Sequence, residues 1–315
     1  MSSERRTLRL GTRGSLLART QSEWVADRIR AEGVGDVELV TIRTKGDVLL
    51  DQPLSEIGGK GLFTKELDRA LLDGAIDLAV HSLKDLPTEF PEGLALGAVP
   101  EREDPRDVLI GPNDSPISLE TLPQGARVGT SSLRRMALAR ATRQDLVIDD
   151  IRGNLDTRIA KVDAGDFDAI VLAAAGVRRL GWSERISEEL DPGSWLPAPG
   201  QGALAVVVRT EDVEKRSWLR GLDDPPSRAA TTAERTLLRE LEAGCRLPVA
   251  ALGLPFGGGL RLRGLVAHPD GRRMVRAEAT GAQDAPEALG RKVARLLRER
   301  GADLILSDLV DALAE

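Results

Sequence analysis

Residues 7–18, TLRLGTRGSLLA, read as a short strand over 7–11 that breaks in the turn Gly11-Thr12-Arg13-Gly14-Ser15 and reopens as a helix. Leu17, Trp24, Val25 and Ile29 share one face of that helix, and Ser15 stands where an N-cap is needed. The same grammar returns at 127–135, RVGTSSLRR: a strand over Arg127 to Gly129, a hydroxyl-rich turn of Thr130, Ser131 and Ser132, and a helix from Leu133. A strand, a glycine-led turn and a helix, met twice, predict two similar α/β domains.

Outward from the first turn, Val37 to Thr44 is rich in β-branched residues and reads as a strand. Phe63, Leu67, Ala70 and Leu71 form a helical face that Gly74 ends. Ile76 to Val80 reads as a buried strand running into His81-Ser82-Leu83-Lys84-Asp85, and Leu94 to Val99 as another. Around the second turn, Val108 to Ile110, Val147 to Asp150 and Ala169 to Leu172 read as strands, with Asn154 capping a helix that ends at Gly165. Pro197-Ala198-Pro199-Gly200-Gln201-Gly202 breaks the chain before a strand over Ala203 to Val208. After the linker Asp223-Asp224-Pro225-Pro226, Ser227 is expected to cap a helix to about Glu242. Strands over 261–267 and 273–280 flank the turn Pro269-Asp270-Gly271, and a helix follows over 285–299. The expected architecture is α/β: a lobe over 1–100 with 200–220, a second over 105–197, and a small α+β domain over 225–315.

A chain of 315 residues is long enough for such a division, and 41% hydrophobic with 30% charged residues is an ordinary globular balance. No apolar run approaches the roughly 20 residues that span a bilayer. The first ten residues lack the apolar core of a signal peptide. One cysteine excludes an intrachain disulfide, so a reducing cytoplasm is expected. The net charge of -6 argues against a general nucleic-acid binder. A monomer without nucleic-acid or membrane partners is the expectation. Only seven of the 44 basic residues are lysine, and four of those fall between Lys45 and Lys84. With no tyrosine and two histidines, catalysis by tyrosine is excluded and catalysis by histidine is constrained.

Three helix starts carry arginines. Arg13 with Thr12 and Ser15 marks the first, Arg134 and Arg135 with Thr130, Ser131 and Ser132 the second, and Arg152 and Arg158 around Asn154 the third. Backbone N–H groups at a helix N-terminus attract anions, and a planar guanidinium matches a carboxylate or phosphate edge. Any one turn alone reads first as an ordinary cap with solvated arginines. Three of them imply a polyanion held in a cleft. Lys84 and Asp85 follow a strand end, where α/β sheets bind ligands, so Lys84 is a candidate Schiff-base amine and Asp85 a candidate acid or electrostatic partner. A surface Lys–Asp turn is the other reading. His81 reads as a core or loop histidine. Cys245 lies past a helix C-terminus, where the dipole raises a thiol pKa. That leaves a buried inert thiol or a slow, one-time attachment point, and no metal site is read.

Nine segments in order, GTRGSLLA (11–18), TKGD (44–47), GKGLFTKEL (59–67), HSLKDLP (81–87), GTSSLRR (129–135), RGNLDTR (152–158), DAIVLAAAGVRRLG (168–181), PAPGQGAL (197–204) and GCRLPVAA (244–251), closely resemble the hydroxymethylbilane synthase (porphobilinogen deaminase) family. The resemblance implies two lobes like those of periplasmic binding proteins and a third domain whose cysteine holds a dipyrromethane through a thioether. It implies that four porphobilinogens are joined to this primer with loss of ammonia, after which the tetrapyrrole is released. On it, Cys245 looks like the attachment residue and Asp85 the catalytic carboxylate. Lys84, Ser82, Asp85, Thr130, Ser131, Ser132, Arg134, Arg135 and Arg152 look like cofactor contacts, and Arg13, Ser15, Arg152 and Arg158 like substrate contacts. Two positions depart from the family pattern: Leu16 stands where proline is usual, and Val206-Val207-Val208-Arg209 lacks the usual glutamate before its arginine. The family's flexible loop maps to Val48 to Lys60. A non-catalytic two-lobed anion binder would explain the paired lobes and the arginines but not the expected lack of an export signal or the cysteine-bearing third domain, and nothing beyond Lys84 supports a pyridoxal phosphate enzyme.

Overall fold

Short strands alternating with helices build two five-stranded sheets of similar design. They are seen in a computed structural model that describes residues 7–44, 64–113, 116–215, 217–242 and 247–314. The chain divides into one compact unit of 1–102 with 203–228 and another of 103–202 with 229–315.

In the first unit, β1 (Leu8–Thr12) is followed by α1 (Leu16–Ala31), β2 (Val37–Thr41), α2 (Lys65–Leu72), β3 (Leu78–Ser82) and β4 (Leu94–Ala98). Ser15 caps α1 as expected, its Oγ accepting the Ala18 N–H at 3.3 Å. The sheet order is β2-β1-β3-β10-β4, where β10 is Leu204–Arg209. β1 pairs in parallel with β2 and β3, and β10 runs antiparallel to β3 and β4. Both faces of β10 are covered. Leu204, Val206 and Val208 join one core with Leu10, Val25 and Ile29, while Ala203, Ala205 and Val207 join another with Leu67, Leu71 and Leu83. A strand buried on both faces is uniformly apolar rather than alternating, and Val208 is part of that core.

The second unit repeats the design as β7-β6-β8-β5-β9, with β5 (Asp107–Ile110), β6 (Arg127–Gly129), β7 (Val147–Asp149), β8 (Ala169–Ala173) and β9 (Glu188–Glu189). β6 is parallel to β7 and β8, and β5 is antiparallel to β8 and β9. Its helices are α3 (Leu133–Thr142), α4 (Leu155–Asp163) and α5 (Ala174–Arg179). One polar device recurs. Asp77 ties the start of β1 to the start of β3 by accepting the Arg9 N–H at 2.9 Å, and Asp168 does the same for β6 and β8 through the Arg127 N–H at 2.7 Å. Asp77 is turned inward to the Arg9 amide, so the ladder of β3 begins at Leu78 and runs to Ser82, two residues beyond the predicted span.

The second unit also holds the antiparallel sheet β11 (Val249–Phe256), β12 (Gly259–Ala267) and β13 (Met274–Gly281) with helices α7 (Pro286–Glu299) and α8 (Ala302–Ala314) and, from Ala229 on, α6 (Pro225–Glu240). The hairpin at Pro269-Asp270-Gly271 forms, with Ala267 opposite Met274. Ala250, Leu252, Leu265 and Ala267 face the core of the five-stranded sheet, and Ala251, Leu260, Leu262 and Val266 face α6, α7 and α8. Two caps differ from expectation. Helix α6 starts at Pro225, and the Asp224 carboxylate accepts the Ser227 N–H at 2.9 Å, because two prolines suit the first turn, where no N–H is needed. Asn154 occupies the N-cap position of α4 without a side-chain bond.

Gly290 shows how tightly α7 meets α6. A Cβ there would lie 2.6 Å from the Ala233 carbonyl oxygen and 2.7 Å from Thr236 Cβ. In an open helix, Gly→Ala stabilises by about 1 kcal/mol. Here overpacking should win, and Gly290→Ala should lose about 1–3 kcal/mol, measured as a lower denaturant midpoint at unchanged slope. A variant at least as stable as the parent would show that α7 can move off α6 at no cost.

Candidate functional site

Parallel pairing puts the ends of β1 and β3 side by side, so the turns that follow them share one edge of the first sheet. Thr12 is fully buried and donates through Oγ1 to the Ala18 carbonyl at 3.1 Å, locking the turn that carries Arg13 and Ser15. Gln21, buried on α1, hydrogen-bonds the Ser82 hydroxyl at 3.2 Å. Beyond Ser82 the sequence Leu83-Lys84-Asp85-Leu86 makes one tight turn. Leu83 and Leu86 enter the apolar core, and the Leu83 N–H donates to the Ala203 carbonyl at 3.0 Å. With both leucines held inside, Lys84 is half-buried and Asp85 exposed. Asp85 makes no hydrogen bond or ion pair among the described residues. His81 is buried, as the sequence suggests, but its Nε2 has no hydrogen-bond partner among the described residues. Burial, reinforced by the Arg13 charge, pushes the imidazole down to about 4, so the ring is neutral.

At the matching edge of the second sheet, the turn after β6 is held by its own hydroxyls. The Thr130 N–H donates to the Asp149 carbonyl at 2.9 Å, and Thr130 Oγ1 accepts the Ser132 N–H at 3.2 Å. Ser131 Oγ donates to the Ile151 carbonyl at 2.6 Å, bringing this turn to the segment that carries Arg152. Ser132 caps α3 by accepting the Arg135 N–H at 3.4 Å. Each hydroxyl thus has a structural duty and retains capacity for a further bond. Arg152 and Arg158 are half-buried, and Arg158 Nε donates to the Gly153 carbonyl at 2.8 Å.

Arg134 and Arg135 are buried, at 4% and 8% exposure, and both meet Asp107, which has no exposed surface. Asp107 Oδ2 accepts from Arg134 Nη1 at 2.7 Å and Trp195 Nε1 at 2.9 Å. Oδ1 accepts from Arg135 Nη2 at 2.7 Å and Nε at 3.1 Å, and from Gln201 Nε2 at 2.8 Å. Burial pushes the Asp107 carboxyl up, but the two guanidinia outweigh it and hold it well below the usual carboxylate range. Arg135 Nη1 also donates to the Val171 carbonyl at 2.8 Å, so all three of its nitrogens are engaged. Arg134 differs: Nη1 reaches the Leu196 carbonyl at 2.8 Å, and its Nε is buried without a partner among the described residues. That orphaned donor suits a carboxylate acceptor. Asp107, Trp195, Gln201 and Gln21 are not among the residues that the sequence singles out. The available signal was an aspartate opening the otherwise apolar strand 107–110 in an arginine-rich chain.

Cys245, Phe63 and the 48–60 loop lie outside the described residues. No described helix is long and apolar enough to cross a membrane.

Family models match twice: "Porphobilinogen deaminase, dipyromethane cofactor binding domain" over residues 8–217, and "Porphobilinogen deaminase, C-terminal domain" over 229–299. The chain is 47% identical over 308 residues to the porphobilinogen deaminase of Syntrophobacter fumaroxidans, covering 98% of this chain and 99% of that one. It is 52% identical over 301 residues to that of Xylella fastidiosa, covering 95% and 98%. Among solved structures it is similar to a periplasmic substrate-binding protein of an ABC transporter from Coxiella burnetii, at 15% identity and a TM-score of 0.43, covering 68% of this chain and 89% of that one.

The buried imidazole sets a pH test. Unfolded, His81 takes up a proton near 6.5; folded, only near 4. The unfolded state therefore binds more protons between these values, and stability falls as pH drops through that window, by at most roughly 1.4 kcal/mol per unit from this group. Above pH 7 the group contributes no slope. His81→Asn lacks the titration, so the stability of the parent minus that of the variant should shrink steadily from pH 7 to pH 5 in denaturant melts. Parallel curves over that range would mean that the ring is protonated as readily in the folded protein as in the unfolded chain.

Proposed function

The chain belongs to the porphobilinogen deaminase family, and on that premise we propose how its own residues carry the reaction. It is a transferase of tetrapyrrole biosynthesis, a hydroxymethylbilane synthase that joins four porphobilinogens head to tail on a covalent dipyrromethane, with loss of ammonia, and releases hydroxymethylbilane by hydrolysis. When bound, the dipyrromethane supplies the nucleophilic pyrrole carbon on which the first unit is placed.

Cys245 is the proposed thioether anchor, supported by its position as the sole cysteine and by its GCRLP context. Lys84, Asp85, Ser82, Thr130, Ser131, Ser132, Arg134, Arg135 and Arg152 are the proposed cofactor contacts. Arg13, Ser15, Arg152 and Arg158 are the proposed holds on substrate carboxylates. The donor set fits such ligands, because acetate and propionate groups are carboxylates, and guanidinium edges and hydroxyls are the side chains that bind them.

Porphobilinogen that has lost ammonia is an electrophilic azafulvene with a cationic pyrrole nitrogen. A carboxylate beside that nitrogen lowers the cost of the charge and can then take the proton released from the newly joined ring carbon. Asp85 is the residue for this work. The observation that carries the assignment is its presentation: a free carboxylate held outward between two buried leucines, at the edge of the sheet where parallel strands end. We further propose three domains over 1–100 with 200–220, 105–197 and 225–315, and a cytoplasmic monomer acting on a small molecule without nucleic-acid or membrane partners. The charge of -6 and the single cysteine support that setting.

Two experiments test the assignments. Intact mass spectrometry of the purified protein should show a two-pyrrole adduct, and Cys245→Ala should lose both adduct and activity; an active parent without an adduct would remove Cys245 from its role. For Asp85, charge should matter more than size. Asp85→Glu should keep measurable single-turnover ammonia release, while Asp85→Asn should lose about 10²–10³-fold. Near-normal release by Asp85→Asn would show that another group carries the central step.

A further inference from the structure

Arg134 and Arg135 are consecutive residues in the first turn of α3, where the helix dipole is positive and acidic side chains are usual. Two buried cations at such a place repel each other and are repelled by the helix end. No residue of α3's first turn offsets them, since that turn holds no acidic residue. The compensating charge comes from a distant strand, as Asp107 at the start of β5.

The hydrogen bonds divide labour between the two arginines. Arg135 places Nε and Nη2 on Asp107 Oδ1 and Nη1 on the Val171 carbonyl, so no nitrogen is left without a partner. It acts as a strut. Among the described residues, Arg134 is held only through Nη1, by Asp107 Oδ2 and the Leu196 carbonyl, and its Nε is left without a partner. The group of three carries a net charge of one positive unit, and its unmet donor is on Arg134. Trp195 Nε1 and Gln201 Nε2 complete the fixing of the carboxylate, one on each oxygen.

We propose that Asp107, steadied by Trp195 and Gln201, is the positioning residue that aims the free edge of Arg134 at a ligand carboxylate, with Arg135 serving as the strut. This rests on the reading that Arg134 takes a carboxylate of the cofactor or the growing chain. Positioning and simple charge balance predict opposite signs. Removing the Asp107 charge makes the site more positive, so if Asp107 merely neutralised, a dicarboxylate substrate would bind more tightly. If Asp107 positions, binding weakens although the positive charge has grown.

The test compares Asp107→Asn, Trp195→Phe and Arg134→Met with the parent. Each is read by the fraction of purified protein carrying the two-pyrrole mass, by KM and kcat with porphobilinogen, and by thermal melting. For Asp107→Asn we expect a lower adduct fraction and a KM raised about 10- to 100-fold, the loss of one charge-assisted contact. Trp195→Phe keeps the ring in its apolar cluster and removes one donor, so KM should rise about 3- to 10-fold with kcat little changed. An Asp107→Asn protein with the parent's adduct fraction and an unchanged or lower KM, beside an Arg134→Met protein that loses both, overturns the positioning role and leaves Arg134 in place. If Arg134→Met is itself normal, the reading of the arginine site fails and Asp107 falls with it. Should Asp107→Asn not fold, Trp195→Phe decides, and a KM equal to the parent's overturns the proposal.

Discussion

Two guanidinium groups cannot share a dry site unless an anion sits with them, and Asp107 is that anion. Its two oxygens take five N–H donors from Arg134, Arg135, Trp195 and Gln201. One carboxylate thereby joins the start of β5, the first turn of α3, the segment before the proline-rich breaker and the breaker itself. Glu234, buried on α6, extends the arrangement by accepting the N–H of Gly200 at 2.6 Å and of Gly253 at 2.8 Å. The glycine turn between them is therefore fixed from both sides. Gly202 there has φ 87, and a Cβ on it would lie 2.3 Å from the Glu103 carbonyl oxygen, so no other residue fits.

The first unit solves a different problem. A carboxylate proposed for catalysis has to be offered to a ligand, not consumed by the protein. The sequence Leu83-Lys84-Asp85-Leu86 achieves this within a single tight turn, the leucines entering the core, Lys84 half-buried and Asp85 facing out. The contrast between the two aspartates is one of environment. Asp107 is surrounded by donors and has no exposed surface, whereas Asp85 is exposed and has no donor among the described residues. A carboxylate saturated by five donors is a poor base and a good brace; one with free lone pairs can serve a reacting charge.

What is legible in the sequence follows from locality. The two glycine-led turns, the Ser15 cap, the hairpin at 269–271 and nearly every strand lie within short windows in which backbone preference and apolar spacing decide the outcome. Chain order does not disclose Asp107, because its partners come from 134, 135, 195 and 201 and meet only in the folded unit. The strand Val249–Phe256 is hidden because its small and apolar residues show no alternation, being covered on both faces by different cores. The helix Ala302–Ala314 is hidden because it restarts only two residues after Arg300, past the positive-φ Gly301 that ends its predecessor. The candidate site is legible as residue types, since arginines, hydroxyls and an Asp–Lys turn announce anion chemistry. It is not legible as roles, since equal-looking neighbours such as Arg134 and Arg135 differ only in which of their nitrogens already have partners.

Strand β10 closes the first sheet from the far side of the entire 103–202 segment. Until Leu204–Arg209 has left the ribosome, β3 and β4 have no strand between them, and the apolar faces that β10 covers stay open to water. The N-terminal lobe must therefore wait for the one that follows it in the chain. Such long-range closure slows folding, because the loop entropy is met before the pairing is gained. A nascent chain that stalls before residue 204 would present two unmatched strand edges, the kind of surface on which chaperones act and from which aggregates grow.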